Sequence, residues 1–233
     1  MTEPLYRRVY NTIVKRIADA DYVPGSMLPS EFDLAAELSV SQGTARKALI
    51  ELEQKGIVQR RQGKGTFVTL RTPENSLFHF FSLRDKNGDQ VAPQLQTETV
   101  IIRASRKEER ALLHGQPDKV FEITRVRTFD GKPLCHEKTV VPAPLFPGLK
   151  DRSPLPNALY VLFQQAYSCI IISAEENLKA ATLDDTLASQ LDVAPGTPAI
   201  VAQRQAYDLK ERLVELRTST FLTERTSYFV DLN

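Results

Sequence analysis

The stretch from Leu28 to Val68 constrains the fold more than any other part of this 233-residue chain. The Ser30 hydroxyl can accept from the backbone N–H of Asp33, and the Asp33 side chain can reach back. Ser-x-x-Asp here is a capping box that starts a helix. Leu34, Ala35 and Leu38 give that helix one apolar face. Ser39-Val40 leaves only a very short turn before Ser41, which caps a second helix whose buried stripe is Ala45, Ala48, Leu49 and Leu52. Gly56 ends it, as a left-handed C-terminal residue. Two helices joined by so short a turn form a helix-turn-helix, whose second helix enters the DNA major groove. For the helix pair alone, an amphipathic hairpin with a solvated polar face is the alternative.

The residues after Gly56 favour the first reading. Ile57 to Gln62 and Thr66 to Val68 read as strands around a Gly63-Lys64-Gly65 tip. Arg60, Arg61 and Lys64 put three positive charges on or beside that hairpin. Gly63 and Gly65 let the tip approach a groove without a Cβ clash, and basic side chains there meet phosphate or the minor groove. The phosphate-loop pattern Gly-x-x-x-x-Gly-Lys-Ser/Thr is absent. Removing the apolar stripe from the second helix leaves Ser41, Gln42, Gly43, Thr44, Arg46 and Lys47 to face DNA. Arg46 can donate twice to guanine O6 and N7, and Gln42 can pair with adenine; such a contact discriminates between bases by about 1–3 kcal/mol. Ser41 and Thr44 suit phosphate, backed by the N–H groups at the helix start.

At these residues the chain resembles the winged helix-turn-helix of the GntR family of bacterial regulators. The matching words are Leu28-Pro29-Ser30-Glu31, Leu34-Ala35, Val40-Ser41, Thr44-Ala45-Arg46, Ala48-Leu49, Leu52-Glu53, Gly56 and Arg61-Gln62-Gly63-Lys64-Gly65-Thr66-Phe67-Val68. The resemblance places Ser41, Thr44, Arg46, Gly63 and Lys64 on DNA-contact positions. Family members often carry arginine where this chain has Phe32 and Gln42, so a typical operator sequence does not carry over.

Composition bears on this less than placement does. The formal net charge is only +1. Residues 1–70 hold ten Lys+Arg against eight Asp+Glu, and residues 71–233 twenty against twenty-one. The DNA reading therefore rests on where the charges fall. Cys135 and Cys169 have no paired spacing, which suits a reducing cytoplasm. No run is long and apolar enough for a membrane span, and the N-terminus lacks a signal-peptide core.

Ahead of the central motif, Leu5, Val9, Ile13 and Ile17 predict a helix from Pro4 to about Ala20, with Pro24-Gly25 as the following turn. The expected organisation is a DNA-binding domain at 1–70, a linker at 71–76 and a second domain at 77–233. Expected strands there are Thr97–Arg103, Val120–Phe129, Leu134–Val141, Ile170–Leu178, Ala199–Asp208, Leu213–Phe221 and Tyr228–Leu232, with helices at Lys107–His114, Asn157–Tyr167 and Asp184–Leu191. Asp130-Gly131 is a strong hairpin signal, and Lys210-Glu211 turns another. Antiparallel hairpins with helices on one side make this an α+β domain. Its words Arg125-x-Arg127, Asp130-Gly131-x-Pro133-Leu134, Glu137, Leu159-Tyr160, Leu191-x-Val193-x-x-Gly196-x-Pro198, Arg204, Tyr207, Glu215 and Tyr228 resemble the UTRA effector-sensing domain of the HutC-like branch. That resemblance implies a chorismate-lyase-like fold without the enzyme activity.

Arg125 and Arg127 lie two apart on one strand and share a face. Two like charges side by side call for an anion or carboxylates between them. Glu137, on the next strand, can orient one, and Glu215 and Tyr228 are placed on late strands of the same sheet. By resemblance Arg125, Arg127, Glu137, Glu215 and Tyr228 line an effector pocket, with Ser82 on a nearby contacting loop. Paired guanidiniums suit a carboxylate or phosphate; a solvated sheet face with surface ion pairs is the alternative. Leu77-Phe78-His79-Phe80-Phe81-Ser82 is an aromatic cluster that reads as core in preference to ligand wall. His79, His114 and His136 lack metal-ligand spacing, and no nucleophile has a base partner, so no catalytic residue, metal or cofactor is expected. The expectation is a ligand-responsive regulator, acting as a homodimeric repressor on double-stranded operator DNA. A DNA binder without an effector and a lyase-like enzyme fused to a DNA-binding module are the competing readings.

Overall fold

The computed structural model describes residues 3–72 and 82–230. The expected cluster at Leu77–Phe81 and most of the expected linker fall outside them. Helix α1 (Leu5–Ala18) buries Val9, Tyr10, Ile13 and Ile17, the four-residue repeat of its sequence. Helix α2 (Glu31–Glu37) opens on the Ser30 box: Asp33 N–H donates to Ser30 Oγ at 3.2 Å, and Ser30 N–H to Asp33 Oδ2 at 3.3 Å. Ser39, at φ 53°, reverses the chain. Helix α3 (Gln42–Gln54) starts on Ser41, whose Oγ accepts from Thr44 N–H at 3.1 Å, and stops before Gly56 at φ 65°.

Strands β1 (Val58–Arg61) and β2 (Gly65–Val68) form the antiparallel wing, with Arg61 opposite Gly65. Leu34, Ala45, Leu49 and Leu52 are buried beneath the three helices together with Ile13 and Val68. Each fully buried aliphatic side chain contributes about 1.5–3 kcal/mol. Ile170 and Leu209 from the second half of the chain join the same core.

That second half is built on six antiparallel strands in the order β4-β5-β6-β9-β8-β7. They are β4 (Gln94–Ala104), β5 (Lys119–Phe129), β6 (Lys132–Pro142), β7 (Ile171–Thr182), β8 (Pro198–Asp208) and β9 (Leu213–Leu222). Asp130 and Gly131 turn β5 into β6 with positive φ at both residues, the geometry that matches strand twist. Glu211, also at positive φ, turns β8 into β9. On one side of the sheet, Leu113, just after the short helix α4 (Lys107–Leu112), packs with Val120 and Val140, and Ala188 of helix α6 (Asp185–Gln190) packs with Val126 and Ala199. The opposite face is covered by a strap of residues 143–158 and by helix α5 (Leu159–Tyr167), with Phe146, Leu149, Tyr160 and Phe163 packed on Phe121, Ile123 and Val141. Helices therefore cover both faces and not the one expected: each face carries apolar residues that need a cover.

A two-stranded ribbon, β3 (Leu83–Asp85) with β10 (Thr226–Tyr228), packs by Leu83 and Tyr228 on Cys135, Ala202 and Phe221. This corrects the placement of Tyr228. It was expected on the main sheet, but its strand has three residues and pairs Tyr228 with Leu83.

The two halves are tied at Arg71. Its backbone N–H donates to Gln164 Oε1 at 3.1 Å, and its Nε donates to the carbonyl of Ile171 at 3.0 Å. Gln164 Nε2 donates to the Thr69 carbonyl at 3.3 Å. Further out, a cleft lined by Lys55, Gly56, Ile172, Glu175 and Tyr207 separates the end of α3 from β7 and β8.

Candidate DNA interface and effector site

Because α3 buries Ala45, Ala48, Leu49 and Leu52, its polar residues have no choice but to face outward. Ser41, Gln42, Arg46 and Lys47 are exposed and Thr44 is half-buried. On the wing, Arg61, Gly63, Lys64 and Gly65 are exposed and Arg60 is half-buried. Arg46 Nε donates to Glu31 Oε2 at 2.8 Å, and Arg60 Nη2 to Glu31 Oε1 at 3.3 Å. One carboxylate at the start of α2 therefore joins the second helix to the wing. The Arg46 side chain is still 57% exposed, so this pair is worth little and yields readily to a phosphate or a base edge. Lys47 Nζ stands 4.1 Å from the centre of the Tyr6 ring, which directs the ammonium across from α1. Gly65 is favoured by its φ of 116°; a Cβ there would also meet Met27 Sδ at 3.2 Å, a contact the exposed methionine can relieve by a small shift.

The effector candidates lie on the strap-covered face. Cross-strand pairing sets Glu98, Arg125, Glu137 and Ser219 in one row and Thr139, Arg217 and Arg204 in another. Arg125 and Arg127 are both buried. Arg125 donates to Glu98 and to the carbonyls of Pro156 and Asn157. Arg127 donates to Asn157 Oδ1 at 2.7 Å and to Glu137 Oε1 at 3.2 Å. Glu137 also accepts from Arg217 at 3.3 Å, and Arg217 Nη2 donates to Glu215 at 2.9 Å. Tyr160 O–H donates to Glu215 Oε1 at 2.9 Å. Tyr228 reaches the network through Glu176, which also accepts from Arg204 Nε at 2.7 Å. Ser82 is half-buried at the start of β3, where its carbonyl accepts from Phe229 N–H at 2.7 Å. The structure thus brings Arg125, Arg127, Glu137, Glu215 and Tyr228 into one connected cluster, with Ser82 at the edge of the ribbon that carries Tyr228.

Residues 5–68 match the model described as bacterial regulatory proteins, gntR family, and residues 94–227 match the UTRA domain. The chain belongs to the GntR family. With its UTRA domain it is a ligand-responsive transcriptional regulator and not an enzyme. It is 27% identical over 225 residues to the mannosyl-D-glycerate transport/metabolism system repressor MngR of Escherichia coli K12, covering 95% of this chain and 93% of that protein. It is 26% identical over 227 residues to the repressor NagR of Bacillus subtilis, covering 97% of this chain and 93% of that one. PhnF from Mycobacterium smegmatis shares the fold across 97% of this chain and 99% of its own, at TM-score 0.56 and 22% identity. The ligand-binding domain of a GntR-family regulator from Bordetella bronchiseptica does so over 66% of this chain and 98% of its own, at TM-score 0.58 and 23% identity.

Electrostatics hold the UTRA cluster of this GntR-family chain together. Four arginines (125, 127, 204 and 217) face four glutamates (98, 137, 176 and 215). Burial pushes the Glu137 carboxyl up, but Arg127, Arg217 and Arg125 outweigh it and hold the group at about 2. Burial, reinforced by Arg127, pulls Arg125 below the ordinary guanidinium range. Burial, then the Glu215 charge, pushes Tyr160 up to about 12, so it remains a donor at neutral pH. Among the described residues, Arg127 Nε, Thr139 Oγ1 and Arg217 Nε on this face are buried without a hydrogen-bond partner, although Arg217 Nε lies within ion-pair distance of Glu215 at 2.9 Å.

Glu98, Asn157, Glu176 and Arg217 join the site without being candidates from the sequence, and Tyr160 and Arg204 stand out there only through the family resemblance. Nothing local marks these residues; they meet through strand register and the path of the strap. Glu31 was legible as part of the Pro-Ser-Glu run, but its grip on two arginines was not. Cys169, pushed up to about 12 by burial, is no nucleophile. Among the described residues, no group of three His, Cys, Asp or Glu side chains has a metal-site arrangement, and no helix is long and apolar enough to cross a membrane.

Proposed function

We propose that the protein is a cytoplasmic repressor that binds operator DNA as a homodimer and is released by a small metabolite bearing a carboxylate or phosphate group. Ser41, Gln42, Thr44, Arg46 and Lys47 contact one major-groove half-site, while Arg60, Arg61, Gly63, Lys64 and Gly65 follow the backbone into the flanking groove. One helix and wing cover a single half-site, and a two-fold partner supplies the second. Arg125 and Arg127 take the anionic group, and Glu137, Glu215, Tyr228 and Ser82 serve the hydroxyl or amine groups of the rest. The observation that carries the reading is the buried arginine pair with the unpartnered Arg127 Nε beside it. A buried donor without an acceptor costs about 1–3 kcal/mol, and an anion bound there recovers that cost. MngR, a repressor of a mannosyl-D-glycerate system, points to a carboxylate-bearing sugar derivative as one member of the class.

Release follows from the position of α5. Asn157, just before it, is held by Arg125 and Arg127; Tyr160 is in the cluster; Gln164, one turn further on the same face, holds Arg71 and Thr69 at the domain junction. An anion that competes with Asn157 for the arginines moves the start of α5, and Gln164 passes the shift to the winged helix. The wings then no longer match adjacent half-sites.

The test is a thermal-shift screen of phosphorylated sugars and small organic acids, because a specific ligand stabilises by mass action. A ligand that stabilises the native chain and not Arg125→Ala supports the reading. No stabilisation by any carboxylate or phosphate, with operator binding intact, rejects it.

A further inference from the structure

The guanidinium that this reading assigns to an anion is already occupied from within. Arg125 Nε and Nη2 both donate to Glu98 Oε2, at 2.9 and 2.6 Å. Glu98 Oε1 accepts from Ser153 Oγ at 3.0 Å and from Leu155 N–H at 2.9 Å. One carboxylate therefore fills a slot of four donors contributed by β5 and the strap. Its side chain is 5% exposed and that of Arg125 is 1% exposed. On the same face, Arg127 Nε and Thr139 Oγ1 are buried with no hydrogen-bond partner among the described residues.

We propose that the Glu98 side chain is an internal substitute for the anionic group of the effector, and that the slot of Arg125, Ser153 Oγ and Leu155 N–H is the oxyanion subsite it must yield. The inference rests on the reading of this pocket as the effector site and adds a residue that sets its specificity. Two observations support it beyond the geometry. First, the four arginines and four glutamates balance. A bound anion that left Glu98 in place would bury an uncompensated negative charge, which is costly; displacement of Glu98 preserves the balance for a singly charged oxyanion and reduces the excess for a phosphate. Second, Glu98 belongs to β4, the end strand of the sheet. No further strand among the described residues flanks β4 on its outer side, so the side chain has room to turn outward.

The consequence is selective. A weak or singly contacting anion does not displace four hydrogen bonds, so the slot admits only an oxyanion whose oxygens replace both carboxylate oxygens of Glu98. Carboxylate and phosphate share that chemistry. Displacement also frees Ser153 and Leu155, on the strap that leads into α5.

The test is calorimetric titration of inorganic phosphate, and in parallel acetate, into the full-length native chain, Glu98→Gln, Glu98→Ala and the double variant Glu98→Gln/Arg125→Met. Glu98→Gln keeps the size of the side chain and its acceptor for Ser153 and Leu155, so the strap retains its anchor. The expected result is a gain in phosphate affinity of about tenfold or more in both single variants, the scale set by removing a charged competitor. That gain is lost in the double variant. A larger gain for acetate than for phosphate identifies a carboxylate slot, and the reverse a phosphate slot. Unchanged affinity in folded Glu98→Gln overturns the inference, as does a gain that survives loss of Arg125. The titration contains no DNA, so its failure leaves the effector-release test standing, and failure of effector release leaves this result intact.

Discussion

Replacing Glu137 by glutamine tests whether the UTRA cluster is an electrostatic unit. In the native chain the carboxylate is buried between Arg127 at 3.2 Å and Arg217 at 3.3 Å. Glutamine keeps the volume and leaves both guanidiniums short of a counter-charge, a change that costs about 3–5 kcal/mol at neutral pH. The pH dependence is the sharper signature. The Glu137 carboxyl is depressed from 4.5 to about 2 in the folded chain. Its stabilisation is therefore present above its unfolded value and is lost as pH falls toward its folded one. Integrating that shift gives a loss of about 2 kcal/mol by pH 3. Other carboxylates titrate in both proteins, so the difference between native and variant isolates this residue: the gap narrows by about 2 kcal/mol from pH 7 to pH 3. The chain has no tryptophan and seven tyrosines, so urea unfolding is followed by far-UV circular dichroism and tyrosine fluorescence. A gap under about 1 kcal/mol at pH 7, or one that does not change with pH, refutes the account of the cluster.

Two further predictions concern the interface and its link to the sensor. Lys64→Ala at the wing tip is expected to weaken operator and non-operator DNA alike and to reduce the slope of log affinity against log salt by about 1 per half-site; an unchanged slope in filter-binding titrations places Lys64 away from phosphate. Gln164→Leu removes the hydrogen bonds to Arg71 and Thr69 while leaving both sites intact. It is expected to bind DNA and effector separately but to lose most of the roughly 5–150-fold coupling between them; native-like coupling removes α5 from the release pathway.

The parts of the fold that are written locally were legible. The Ser30 box, the Ser41 cap, the Gly56 stop and the Asp130-Gly131 turn each depend on residues a few positions apart, and each formed where the sequence places it. Strands of ten residues or more were visible for the same reason. The ribbon was not. Leu83–Asp85 and Thr226–Tyr228 are too short to show a period, and each is a strand only because the other is present. The candidate site divides in the same way. Arg125 and Arg127 declare a shared face by their spacing, and Glu137 follows from the hairpin. Glu98 and Arg217 arrive through partners 27 and 80 residues away, and Asn157 through a strap with no periodic pattern. Register and loop path, not residue preference, put them there.

The division between a DNA-reading tip and a buried anion sensor is tested most directly by one fluorescence-anisotropy experiment. Operator affinity is measured for the native chain, Arg46→Ala and Arg125→Ala, each with and without the metabolite that stabilises the native protein. The account predicts that Arg46→Ala loses operator affinity but still takes up the metabolite, and that Arg125→Ala holds the operator at native affinity whether or not the metabolite is present. Release of Arg125→Ala from the operator by the metabolite at native concentrations would contradict it.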